Sequence, residues 1–298
     1  MEKEVKVDVL GGILAGSLIV PANSQKPTIV LIISGSGPTD RNGNNALSGK
    51  TNNLKQLAHE LANKNVASLR FDKRGVGGSQ SATIPEEKLK LQTFVNDVLS
   101  WLTYIHESSK FGKIFVLGHS EGGLIAIKAC QRIKVAGCIL LATPGQRLAE
   151  VLQHQLSQQL ASQPSWLQKS LNILASLQNG NLVPQVPTEL QSIFRPSVQP
   201  YLQSILNVDP AAELAKIDSP ILIVQGTEDL QVTISDAKLL KQAVPKAKLV
   251  IIAKMNHVLK EVPKSDTQSN LASYQQPNIP LNTQLVKQIT CFLNTENL

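Results

Sequence analysis

The chain has 298 residues, of which 42% are hydrophobic, so it can bury the core of one large α/β domain and is not disordered as a whole. The formal charge of +7 comes from scattered lysines rather than a basic run; it gives no support for a nucleic-acid-binding patch and is compatible with weak attraction to acidic surfaces or anionic lipids. The N-terminus alternates charges, and no apolar run approaches the roughly 18 residues that a membrane span needs. These features predict a cytoplasmic protein without a signal peptide or stable membrane insertion.

The three cysteines are too few and too irregularly spaced for a disulfide framework or a metal site. Cys130, Cys138 and Cys291 each lie in an apolar segment. We therefore predict reduced, buried thiols and no bound metal.

The first half of the chain alternates predicted strands and helices. Residues 5–21 indicate a β-hairpin with Gly11-Gly12 as its turn, and the apolar run at 28–33 is typical of a buried strand. The alternation continues with helices at 54–64, 91–105 and 121–132 and strands at 66–71, 113–117 and 135–142. This order favours a parallel sheet with right-handed crossovers.

Residues 146–216 interrupt this alternation. The segment is rich in Gln, Leu and Ser, shows helical spacing at 148–160 and 166–177, and has repeated prolines from 184 to 200 without a convincing strand. We interpret it as a helical lid inserted into a core domain made of residues 1–145 and 217–298.

The last part of the chain resumes the sheet. Strands are predicted at 220–225 and 248–252, with helices at 235–244 and 285–293. The polar stretch 264–280 is predicted to be a surface loop.

The sequence Gly118-His119-Ser120-Glu121-Gly122 has the pattern of a nucleophile elbow. Small residues two positions away on each side permit a sharp turn from strand to helix, which lifts the serine hydroxyl above the sheet edge. By chance, about 0.1 matches to Gly-x-Ser-x-Gly are expected in a chain of this length, so the pattern alone is weak evidence. Its position between a predicted strand and a predicted helix makes the match specific.

A serine nucleophile needs a base and a carboxylate that orients the base. Of the five histidines, only His257 follows the last core strand, whereas His119 is expected to point away from the site. For the acid we choose Asp229, with Glu228 as the alternative, because both follow the predicted strand at 220–225. A structural role for His257, and a turn or helix-capping role for Asp229, are the competing interpretations.

The glycine-rich turn Ser34-Gly35-Ser36-Gly37-Pro38 follows the predicted strand at 28–33. We expect the Ser36 and Glu121 amides to form an oxyanion hole, with Gly35 and Gly37 close to the substrate. A flexible loop or a phosphate-binding nest is the alternative, but no Gly-Lys-Ser/Thr follows, which disfavours nucleotide binding.

With these residues in place, the chain resembles the α/β-hydrolase superfamily over nearly its whole length. Ser120, Asp229 and His257 occur in the superfamily order, and the chain is most similar to serine-aminopeptidase-like, lysophospholipase- and esterase-like hydrolases of bacteria. The resemblance implies a mostly parallel eight-stranded sheet flanked by helices, with a helical lid insertion. It implies neither a metal nor an organic cofactor.

Two further segments carry the resemblance. Residues 34–44 are similar to a variant oxyanion motif in which serine replaces the usual histidine, and residues 72–79 to the Asp-x-Arg-Gly-x-Gly-x-Ser segment. The second likeness implies that Asp72 and Arg74 brace the loops beneath the site. Serine at the elbow argues against epoxide hydrolases and haloalkane dehalogenases, which carry an aspartate there.

The sequence therefore predicts a serine hydrolase that cleaves a carboxylic ester of a small-molecule acyl substrate through an acyl-enzyme at Ser120. Thioester, amide or peptide cleavage would use the same residues. A non-catalytic ligand-binding protein with this fold is the alternative from another class. The physiological substrate and the oligomeric state are not predicted.

Overall fold

A computed structural model describes residues 1–22, 24–46 and 49–295. Its centre is one eight-stranded sheet with the strand order β1-β2-β4-β3-β5-β6-β7-β8. The strands are β1 Glu2–Val9, β2 Gly12–Ile19, β3 Ile29–Ile33, β4 Ala67–Phe71, β5 Ile114–His119, β6 Gly137–Leu141, β7 Ile221–Gly226 and β8 Lys248–Ile252. The pairs β1–β2 and β2–β4 are antiparallel, and the other five pairs are parallel. The predicted mostly parallel sheet is thus confirmed.

Helices cover both faces of this sheet. Within the described ranges they are α1 Asn53–Ala62, α2 Leu91–Glu107, α3 Glu121–Cys130, α4 Leu148–Gln159, α5 Pro164–Gln178, α6 Gln191–Phe194, α7 Gln199–Ile205, α8 Pro210–Leu214, α9 Ile234–Ala243, α10 Thr267–Ala272 and α11 Thr283–Thr295. In this part of the chain, no helix combines the length and apolarity that crossing a bilayer would require.

The central strands are buried on both faces, which explains their continuous apolar runs. One apolar cluster packs α2, α3 and α9 against the sheet and includes the fully buried Trp101. A second cluster packs α1 and α11 against the opposite face, where Phe115 meets Phe292 edge to face. This packing holds the carboxyl ends of β3, β4, β5, β7 and β8 at one edge.

Helices α4 to α8 lie in the connection between β6 and β7 and have a small apolar core of their own, centred on the buried Phe194. The described structure contains no strand between residues 146 and 216. Glu213 of α8 connects this segment to the sheet domain, because it accepts hydrogen bonds from Lys128 and Gln131 at the end of α3. That this segment is a separate lid domain stays a prediction.

Three local expectations differ from the structure. Cys291 is exposed rather than buried, because it lies on the outward face of α11. The hairpin turn is Leu10-Gly11, because Gly12 already pairs with Val9. The stretch 264–280 is not only a surface loop: it contains α10, begun by an Asp266 side chain that accepts from the Ser269 amide. Its inward face is polar and buried, so a polar sequence concealed it.

Candidate active site

Ser120 lies in the turn between β5 and α3 in a conformation that non-glycine residues rarely adopt, with φ 55° and ψ −126°. Its glycine neighbours are required by close packing. A Cβ on Gly118 would lie 2.2 Å from the Gly122 carbonyl oxygen, and a Cβ on Gly122 would lie 2.5 Å from the Ser34 carbonyl oxygen. The turn has the geometry expected of a nucleophile elbow.

His257 and Asp229 form a buried pair at the same edge of the sheet. Nδ1 of His257 lies 2.9 Å from Oδ2 of Asp229, and the side chains are 6% and 0% exposed. The other carboxylate oxygen of Asp229 accepts the amides of Gln231 at 2.8 Å and Val232 at 2.9 Å. Burial would raise the pKa of Asp229, but the histidine and these hydrogen bonds outweigh it and hold the pKa below its usual value.

The alternative acid, Glu228, has different partners. Its carboxylate accepts from the Thr227 hydroxyl at 3.0 Å and from the Ser265 amide at 2.9 Å. These contacts hold the loop beside β8 and leave the imidazole of His257 to Asp229. The geometry therefore favours Asp229 as the orienting carboxylate.

His119 was expected to point away from the site, and this expectation is wrong. Its ring lies beside the His257 ring, with centroids 4.9 Å apart, and its Nε2 is 2.8 Å from the His257 carbonyl oxygen. A carbonyl can only accept, so Nε2 carries the proton. Burial is the largest cause that lowers the pKa of His119 to about 3, and the neighbouring His257 is the second. The ring is therefore neutral, and its contact with the His257 carbonyl supports the loop that carries His257.

The turn after β3 lies against the elbow. A Cβ on Gly35 would be only 3.2 Å from the Ser120 Cβ, so the backbone here approaches the serine closely. Ser36, Ser120 and Glu121 line one cavity, so the two predicted oxyanion donors stay a prediction that this placement permits. Within the described residues, neither the Ser36 nor the Glu121 amide donates to a protein acceptor.

Sequence reasoning missed Lys73, which lies beneath this turn. Its side chain is buried, and its ammonium donates to the carbonyl oxygens of Gly35 and Gly37. The only available signal was its place between Asp72 and Arg74, in the motif that follows β4.

The bracing roles implied for the two flanking residues have identifiable contacts. Asp72 accepts from the backbone and guanidinium of Arg41 and from the Gly78 amide. Arg74 forms a buried ion pair with Asp97 of α2 at 2.6 Å. Both contacts hold loops at the carboxyl edge of the sheet.

Two cavities flank Ser120. One, of about 250 Å³, also includes His257 and is lined by glycines such as Gly35 and Gly37 and by residues that carry polar groups, among them Asn45, Thr51, Gln231 and Tyr274. The other, of about 270 Å³, lies between the sheet domain and the helical segment and is mostly apolar, with contributions from Leu124, Leu148, Val151, Leu152, Ile205 and Val208. Tyr274 was also missed, because it lies in the stretch predicted to be a surface loop.

Size alone would have selected another place. A larger cavity, of about 850 Å³, is a groove between α1 and α11 that contains none of the predicted site residues. The described residues also include no cluster of three or more His, Cys, Asp or Glu side chains that could hold a metal ion. The strained serine and the His–Asp pair therefore locate the candidate site.

A mostly parallel eight-stranded sheet with a strained serine after β5, a carboxylate after β7 and a histidine after β8 defines the α/β-hydrolase class. The family model described as serine aminopeptidase, S33, matches residues 47–261, and the chain belongs to this family. This match includes Ser120, Asp229 and His257 but begins after the turn at 34–38.

The relatives are consistent with this class. Esterase EstD of Thermotoga maritima is 27% identical over 263 residues, which are 87% of this chain and 60% of that protein; the chain thus spans about three fifths of this curated relative. Among solved structures, ferulic acid-bound Est1E from Butyrivibrio proteoclasticus has a TM-score of 0.63 at 18% identity, covering 98% of this chain and 99% of that one. Proline iminopeptidase of Mycobacterium smegmatis has a TM-score of 0.61 at 13% identity, covering 99% and 98%. At these identities the structural likeness shows the fold alone.

Proposed function

We propose that the protein is a serine hydrolase that cleaves carboxylic esters of small-molecule acyl substrates. The observation that carries the proposal is the buried His257–Asp229 pair, whose histidine lines the same cavity as the strained Ser120. This arrangement lowers the stability of the fold, because it buries a carboxylate and strains the backbone at Ser120. Acyl transfer gives each of these features a use.

The first half of the reaction acylates the enzyme. Ser120 Oγ attacks the ester carbonyl carbon while Nε2 of His257 takes its proton, and Asp229 holds Nδ1–H and stabilises the imidazolium. The carbonyl oxygen becomes an oxyanion, which accepts the Ser36 and Glu121 amides. When the tetrahedral intermediate collapses, the C–O bond to the alcohol breaks and His257 gives the alcohol its proton.

The second half restores the enzyme. Water attacks the acyl-Ser120 ester, and His257 accepts a proton from it. The same two amides stabilise the second oxyanion. Collapse releases the carboxylic acid and returns the proton to Ser120.

The direction of proton transfer orients the substrate. Because His257 protonates the leaving alcohol, the alcohol lies on the side of the cavity that includes His257. The acyl group then lies in the apolar cavity beneath the helical segment. An apolar acyl group fits the second of these cavities.

The name of the curated relative favours an ester over an amide, whereas the family takes its description from an aminopeptidase. Thioesters and amides would use the same residues. A matched series with one acyl group and an ester, thioester or aminoacyl amide bond tests the choice. We expect the highest kcat/KM for the ester; a higher value for the amide would contradict the ester assignment.

Covalent labelling by a fluorophosphonate probe tests the proposed function as a whole. We expect the wild-type protein to be labelled and to hydrolyse short p-nitrophenyl esters, and the Ser120→Ala variant to do neither. A correctly folded wild-type protein that shows neither reaction would contradict the proposal. That result would favour a non-catalytic ligand-binding protein.

A further inference from the structure

Lys73 is a buried cation with an unusual set of partners. It is 4% exposed and follows β4, and its ammonium donates to the carbonyl oxygens of Gly35 and Gly37, the latter at 3.1 Å. The Phe94 ring lies on another side, with its centroid 5.7 Å from Nζ. In the described part of the chain, no carboxylate lies within ion-pair distance of Lys73.

Burying an ammonium without an ion pair is unfavourable, because burial favours its neutral form. Burial lowers the pKa of Lys73, and only the more distant charge of Glu121 opposes this shift. A methionine would fill similar space without the desolvation penalty. We therefore look to the two carbonyl contacts for the role of a cation at this position.

The contact with Gly35 concerns one particular peptide group. The Gly35 carbonyl and the Ser36 N–H belong to the same peptide, and in a planar trans peptide they point in opposite directions. With its carbonyl held by Lys73, this peptide directs the Ser36 N–H away from the lysine. That N–H has no protein acceptor among the described residues, and Ser36 lines the cavity shared with Ser120.

We propose that Lys73 is a positioning residue for the oxyanion hole, which fixes and polarises the Gly35–Ser36 peptide so that its N–H is aimed at the developing oxyanion. The inference rests on the proposed function. A cation on the carbonyl oxygen draws electron density from the peptide and strengthens its N–H as a donor. The second contact, to Gly37, prevents the turn from rotating around the first.

This role makes a specific kinetic prediction. An oxyanion donor acts mainly on the transition state, so Lys73→Met should lower kcat about 100-fold and change KM less than about threefold. The affinity for an alkyl boronic acid, which forms a tetrahedral adduct on the serine, should fall together with kcat. In the wild type, kcat should decrease at alkaline pH as Lys73 loses its charge, and the Lys73→Met variant should lack this decrease.

The chain offers a matched control. Lys260 is also fully buried, follows β8, and donates to a single backbone carbonyl, that of Gln276. Burial lowers the pKa of Lys260 to about 8. Lys260→Met therefore removes a buried ammonium and its carbonyl contact without touching the peptide that carries the Ser36 amide.

The experiment measures kcat, KM, boronic acid affinity, thermal midpoint and fluorophosphonate labelling for the wild type, Lys73→Met and Lys260→Met. A selective loss of kcat and boronic acid affinity in Lys73→Met, at a thermal midpoint similar to that of Lys260→Met, supports the inference. If Lys73→Met does not fold, Lys73→Gln, a neutral donor, is judged by the same criteria.

Three outcomes overturn the inference: kcat within about threefold of wild type, a rise in KM at unchanged kcat, or equal losses of kcat in both methionine variants. In each case, labelling of the wild type leaves the proposed function intact. A folded wild type that is not labelled overturns the proposed function, and the inference with it.

Discussion

Asp229 is held by hydrogen bonds on both carboxylate oxygens, from His257 and Gln225 on one and from two backbone amides on the other. An asparagine here would keep the shape but could place an amide N–H against the imidazole and favour the wrong tautomer. We expect Asp229→Asn to lower kcat about 10³–10⁴-fold with little change in KM, measured with a p-nitrophenyl ester.

Glu228→Gln is the matched control for this variant. The substitution is of the same kind and one residue away, and Glu228 contacts Thr227 and Ser265 rather than the histidine. We expect its kcat to stay within about threefold of wild type. If Glu228→Gln were the damaging change and Asp229→Asn the mild one, the acid would be Glu228.

Some of these residues could be predicted from sequence and others could not. Ser120, Asp229 and His257 each follow a strand whose apolar run is visible, so their shared edge could be predicted from chain order alone. Lys73 and Tyr274 gave no comparable signal. Their burial depends on which loops cover them, and a lysine or a polar stretch is by default expected on the surface.

At the scale of elements, the parallel strands are the best-predicted part. Helices cover both faces of the sheet that these strands form, so each strand is a continuous apolar run bounded by polar residues. The order β1-β2-β4-β3 was not predicted, because it depends on crossovers that local patterns do not specify. Helix α10 was missed for a different reason: six residues with a polar buried face have no apolar period.

The contact between α8 and the elbow helix α3 leads to a prediction about pH. Burial would raise the pKa of Glu213, but hydrogen bonds from two lysines and a glutamine lower it to about 2. This folded-state pKa is below the ordinary value of 4.5, so the stabilisation is complete above pH 4.5 and is lost as the pH falls towards 2. We expect Glu213→Gln to lower the free energy of unfolding at pH 7 by about 1 kcal/mol, allowing for solvent screening.

The measurement is urea unfolding of wild type and Glu213→Gln at pH 7, 5, 4 and 3. The difference between the two proteins should shrink as the pH falls. Glu150→Gln is a suitable control, because the Glu150 carboxylate accepts an exposed hydrogen bond from the Arg147 amide at the start of α4. A difference between wild type and Glu213→Gln that is constant over this range would contradict the role of the charge.

At the scale of the whole molecule, the site is assembled from parts distant in the sequence. The turn after β3, the elbow, the two loops after β7 and β8, and the helical segment all border the cavities around Ser120. The sequence indicated that the helical segment exists and that it follows β6. It did not indicate which of its residues contact the elbow, since this depends on how α4 and α7 pack over the sheet edge.

Acyl chain length should be limited by the apolar cavity between the sheet domain and α4. Val151 lines this cavity and is only partly buried, so Val151→Trp fills space there without replacing a core side chain. For p-nitrophenyl esters, we expect kcat/KM for acetyl to change less than about threefold and that for octanoyl to fall at least about tenfold, since each methylene in an apolar pocket contributes about 1 kcal/mol or more. Leu182→Trp is the control, because Leu182 lies in the same segment, is 55% exposed and does not line the cavity. An equal loss for both esters, or the same profile in Leu182→Trp, would place the acyl group elsewhere.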